Sequence, residues 1–113
     1  MEDRKVNILG TEYDFLIQST SNNPKLEECN GLCEQYSKKI IISDLEEAKK
    51  DVLCVEKLQE FKKKVARHEV IHAFLGESGL RCNSPWAENE EMVDWFAIQF
   101  PKILEVFKEL GVL

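Results

Sequence analysis

The sequence predicts an α+β protein: a small antiparallel β-sheet from the N-terminal third, packed on helices that occupy the rest. Three observations carry this. Residues 5–18 alternate apolar and polar about a turn signal, Ile40–Ile42 form a β-branched run, and apolar residues from Asp44 onward recur at helical spacing. The chain is 113 residues with 43% hydrophobic and 32% charged residues, the balance of one globular domain spanning 1–113, without internal repeats or linkers.

The elements follow in order. "KVNIL", Gly10-Thr11 and "EYDFLIQS" predict a β-hairpin. "STSNNPK" is a loop by composition. Asn30-Gly31 is a two-residue turn signal, which would pair Cys29 with Leu32 and put Cys29 and Cys33 on opposite faces. Ile40–Ile42 then form a buried strand. Ser43 and Asp44 are good helix N-caps, so "DLEEAKKDVLCVEKLQEFKKKVARHEVIHAFLGESGL" predicts one long helix, or two divided near Asp51, stopped at Gly76 or Gly79. "RCNSPWAEN" is a loop. A final helix starts near Glu88, and Pro101 kinks it or begins a last segment whose apolar residues, Ile103 to Leu113, suit core packing or a dimer contact.

The net charge of −6 argues against a nucleic-acid or anionic-membrane surface, either of which needs a basic face. The one basic cluster, "KLQEFKKK", reads as the solvated side of a helix. No stretch approaches the ~20 apolar residues of a membrane span, and the charged first residues lack the apolar run of a secretory signal. A cytoplasmic location is the expectation. Four scattered cysteines, Cys29, Cys33, Cys54 and Cys82, are too few for a disulfide scaffold and read as reduced thiols.

The chain has two histidines, His68 and His72, and both fall in "HEVIH". Residues i and i+4 project from one side of a helix, so both imidazoles can address one atom beside it. Glu69 lies about 100° around the same turn. Zn²⁺ takes neutral imidazole nitrogens, lowers the pKa of a bound water, and leaves its proton to a nearby carboxylate. That is the chemistry of H-E-x-x-H: two metal ligands, His68 and His72, and a general base, Glu69.

A third ligand is needed, and a carboxylate fits better than Cys82. The following helix offers "AENEEMVDWFA". Glu90 and Asp94 are one turn apart, so one face can supply a ligand, Glu90, and an acceptor, Asp94, for the second ring N–H of a ligating histidine. Glu91 is the rival ligand; its i+4 neighbour, Trp95, accepts no hydrogen bond.

"HEVIH" followed by "EEMVD" on a second helix resembles the gluzincin pattern, and most closely the small ImmA/IrrE-like metallopeptidases and minigluzincins of bacteria, phages and mobile elements. The likeness covers roughly residues 60 to 101 and includes "DWFAIQFP". The resemblance implies a zincin-like fold and a zinc-dependent peptidase, with His68, His72 and Glu90 on Zn²⁺, Glu69 as base, Asp94 behind a histidine, and a protein or peptide substrate aligned on a sheet edge. Such enzymes often add a His, Tyr or Arg that steadies the oxyanion; Tyr36, Arg67 and Arg81 are the candidates. The alternative function is a non-catalytic zinc-containing binding protein, such as a phage or mobile-element factor acting on a host protein.

Overall fold

The computed structural model describes residues 1–113 and has an α+β architecture. Strands β1 (Arg4–Ile8), β2 (Thr11–Gln18), β3 (Gly31–Glu34) and β4 (Lys39–Ser43) form one sheet in the order β1-β2-β4-β3. Helices α1 (Leu58–Glu77), the single-turn α2 (Leu80–Asn83) and α3 (Glu90–Leu110) follow. No helix is long and apolar enough to cross a membrane.

The sheet is mixed, which corrects the antiparallel expectation. The first hairpin forms as predicted, one residue early: Leu9 (φ 51) and Gly10 (φ 93) make the turn, and both central residues have the positive φ that matches strand twist. β4, however, runs parallel to β2, with Phe15 beside Ile40 and Ile17 beside Ile42, and pairs antiparallel with β3 on its other side. Ile40, Ile41 and Ile42 are all buried, so this strand is covered on both faces. An unbroken apolar run marks that situation, and a half-exposed antiparallel strand would alternate instead.

Asn30-Gly31 is not a hairpin turn. Gly31 opens β3 and pairs with Ile42, and the β3–β4 turn spans Gln35 to Lys38. The glycine is required by proximity. A Cβ there would stand 2.9 Å from Val65 Cγ1, 3.0 Å from Glu69 Cγ and 3.2 Å from the Ile41 carbonyl oxygen, so its absence lets β3 lie directly against α1. All four cysteines are free.

The helical half starts later than its caps suggested. Ser43 Oγ accepts from the Leu45 N–H and Asp44 Oδ1 from the Glu46 N–H, so both cap tight turns instead of a helix. Leu45 is buried with a left-handed φ of 61°, and its burial outweighs the local helix preference. Between β4 and α1 there is only one 3-10 turn, Ala48–Lys50. The helix ends ahead of Gly79 (φ 83), one of the two stops foreseen. The segment expected as a loop contains α2 and a 3-10 turn over Pro85–Glu88. Asn89 caps α3 through the Met92 N–H.

The main core lies between sheet and α1: Tyr13, Phe15, Ile40 and Ile42 meet Val65 and Ala73. A smaller cluster of Leu75, Ala87 and Val93 joins α1 to α3. At the end of α1, Glu77 accepts hydrogen bonds from Thr11 Oγ1 (2.6 Å), Tyr13 Oη (2.7 Å) and Lys38 Nζ (2.9 Å).

Pro101 lies inside α3, which continues through it. Proline removes the N–H that would bond the carbonyl four residues back, here Ala97. Ala97 is fully buried, so its oxygen needs another donor. Arg67 provides it: its Nε–H donates to Ala97 O at 2.6 Å. The proline that would weaken the helix thereby creates its tie to α1.

Two outcomes are expected. Arg67→Met should cost about 1–3 kcal/mol, the range for an unsatisfied buried group, in urea denaturation. Pro101→Ala, by returning an N–H to Ala97 O, should remove most of that cost, which a double-mutant cycle measures. Separately, the three donors, Thr11 first, hold the Glu77 carboxyl at about 2 against an ordinary 4.5. A depressed carboxyl stabilises the fold above its unfolded value, and that contribution fades as pH falls from 4.5 through 2. Glu77→Gln should therefore be less stable than the parent at neutral pH and converge with it near pH 2, read from denaturation midpoints across that interval.

Candidate metal centre

α1 and α3 run antiparallel, and the site sits in the seam between them on the side facing β3. His68 and His72 project from successive turns of α1 toward Glu90 in the first turn of α3. His68 Nε2 lies 3.0 Å from Glu90 Oε2 and 3.2 Å from His72 Nε2, and His72 Nε2 lies 3.4 Å from the same Glu90 oxygen. The structure thus brings together three of the predicted residues as one potential ligand group.

His68 Nδ1 is 3.1 Å from Asp94 Oδ1, which also accepts from Lys64 Nζ at 2.9 Å. The Lys64 hydrogen bond, followed by that from His68, lowers the Asp94 pKa. Asp94 therefore accepts from the His68 Nδ1–H, which turns His68 Nε2 toward the triangle. Burial, its leading cause, lowers the His72 pKa and keeps that imidazole neutral. His72 Nδ1 is buried with no hydrogen-bond partner. Two ring nitrogens and a carboxylate oxygen, all potential ligand atoms, thus converge on one point.

A cation would satisfy this convergence, and the spacing suits one. Ligands about 2.0–2.1 Å from a tetrahedral zinc are separated by roughly 3.3 Å; the triangle's edges of 3.0, 3.2 and 3.4 Å match this. The donor set, two imidazoles and a carboxylate, is also one zinc takes with a position left open.

Glu69 is 7% exposed. Burial chiefly, opposed by His68 and reinforced by the Glu90 charge, pushes its carboxyl up to about 7. It lines a cleft of about 500 Å³ with His68, His72, Glu90, Asp94 and the β3 strand.

Several residues fall elsewhere than, or beyond, what the sequence signals. Glu91 is exposed and outside the ligand group. Cys82, on α2, is outside the cleft; Cys33 lines it, but burial pushes that thiol up to about 11, so it stays protonated. Of the three oxyanion candidates, Tyr36 is 97% exposed in the β3–β4 turn, Arg67 is spent on Ala97, and only Arg81 lines the cleft. Lys64 belongs to the site and not to a solvated face; its place four residues before His68 was the available clue. The contribution of Gly31 and β3 had no clue beyond a glycine that reads equally well as a turn.

Compared with protein-family models, with curated proteins and with solved structures, the chain finds no match, and the functional reading rests on this geometry.

Proposed function

We propose that the cleft is the active site of a zinc-dependent peptidase of the gluzincin type, with a zincin-like arrangement of sheet and helices. The observation that supports it is the triangle of His68, His72 and Glu90 atoms at zinc-ligand spacing. These three residues would hold the ion. When bound, zinc polarises a carbonyl and lowers the pKa of a coordinated water.

The remaining chemistry belongs to the chain. Glu69 is on the turn that carries both histidines, and a carboxyl raised to about 7 is matched to proton exchange near neutrality. It takes the proton of the attacking water and delivers it to the leaving amine. Asp94 orients His68 and is itself neutralised by Lys64. Arg81 faces the cleft as the candidate to steady negative charge on the attacked carbonyl. The strand that positions the substrate is β3, the neighbour of the Ile40–Ile42 strand at the sheet's edge. β3 is the edge strand that lines the cleft, so an extended peptide can add to it as a further strand.

Metal analysis of the purified protein should give one zinc per chain, reduced strongly in His72→Ala and Glu90→Ala. Glu69→Gln should keep zinc and lose at least about 100-fold in hydrolysis of an unfolded protein substrate, in line with loss of a general base. Failure of the parent to retain zinc would remove this reading. Stoichiometric zinc without turnover, in both parent and Glu69→Gln, would instead support the zinc-containing binding module. Asp94→Ala should weaken zinc affinity by about 10–100-fold, measured by competition with a chromogenic chelator.

A further inference from the structure

On the opposite side of the α1–α3 seam from the cleft lies a groove of about 650 Å³. Ala66, Val70 and Phe74 of α1 form one wall, and Met92, Phe96 and Phe100 of α3 the other. Its one polar lining residue, Arg67, is engaged with Ala97 O. The α3 wall does not stop where the groove does. Met92, Phe96, Phe100, Ile103, Phe107 and Leu110 fall on one stripe at 100° per residue.

The far end of that stripe has nothing beneath it. Ile103 and Leu104 are half-buried, and every residue after them is exposed, because the last two turns of α3 run past the start of α1. All seven charged residues of α3, from Glu90 to Glu109, lie within an arc of about 120° on the other side of the helix. The helix therefore carries a wall of an empty apolar groove at one end, an uncovered apolar ridge at the other, and no charge along the line joining them.

We propose that the chain forms a homodimer through α3, two copies packing antiparallel about a twofold axis near Phe100, each laying its C-terminal turns in the other's groove. A twofold contact must be self-complementary, and this stripe is: the pairing sets Phe100 against its own copy, Phe96 against Ile103 and Met92 against Phe107. One operation covers both groove and ridge, whereas an unrelated partner would have to supply a counterpart to each. Phe74, Trp86, Phe100 and Phe107 remain 43%, 53%, 47% and 42% exposed, roughly 100 Å² apiece. With Leu110, 68% exposed, and the half-buried positions, the surface reaches on the order of 700 Å² per copy, near the ~800 Å² of a standard interface. The charged arc, Glu90 and Asp94 included, stays outward, so two chains of net charge −6 meet along a neutral line and both clefts remain open.

The test is sedimentation equilibrium of the full chain from about 1 to 100 μM, with zinc content and circular dichroism as controls for the fold. The expected mass is twice 13.1 kDa, with tighter association as salt screens the like charges. Phe107→Glu and, independently, Leu110→Glu, both at exposed positions, should raise the dissociation constant by about thirty-fold or more without changing zinc content or helicity. Mixing Phe107→Glu with Met92→Lys chains should restore a dimer if the pairing is antiparallel. A monomeric parent across the range overturns the proposal, including one whose groove takes up a foreign amphipathic peptide. So does a dimer indifferent to both Glu substitutions, or one not rescued by the mixed charges.

Discussion

The architecture of the site depends on a single exchanged hydrogen bond. Pro101 withdraws the N–H that would satisfy Ala97 O, and Arg67, reaching across from α1, supplies a replacement. A buried carbonyl needs a partner, so the exchange ties α3 to α1 in the register that the packing of Leu75 and Val93 also holds. One turn toward the N-terminus of α3, that register brings Asp94 to Lys64 and His68; one turn further, it brings Glu90 to both histidines. Had α3 slipped by a turn, the carboxylates would face other residues and the imidazoles would be left with each other.

Within this frame the electrostatics divide cleanly along the cleft. Lys64 neutralises the carboxylate that orients His68, so Glu90 contributes its charge to the ligand triangle without Asp94 doubling it. Glu69, by contrast, has no salt bridge and is surrounded by β3 and α1; solvent exclusion and the nearby Glu90 charge make its proton hard to remove. Two carboxylates on neighbouring elements are thus driven to opposite protonation behaviour, the pattern that separates a proton carrier from a fixed charge.

Much of this was legible in the residues, for reasons that differ by element. His68, Glu69 and His72 depend only on helical spacing, a local property, and Glu90 with Asp94 on the same spacing one helix later. The first hairpin was readable from alternation. What was hidden is long-range. Whether Ile40–Ile42 pairs parallel or antiparallel is decided by which strand reaches it, and Leu45 was drawn out of a helical pattern by burial. Gly31 has two physical uses, a turn or a close approach, and sequence alone does not choose between them. Arg67 stood among the oxyanion candidates because its partner, a backbone carbonyl, has no letter in the sequence; only the proline four residues beyond that carbonyl marks it.

The missing side chain at position 31 has a wider consequence. All three ligand atoms come from a helical pair that the sheet does not build, while the seclusion of Glu69 comes from β3 pressed against it. On the proposed function, the helices would supply the ligands and the base itself, and the N-terminal half the enclosure of that base. If that function holds, sequence drift confined to the N-terminal half would leave a chain able to gather a cation but without the environment that makes its base useful, a short route from catalyst to inert scaffold.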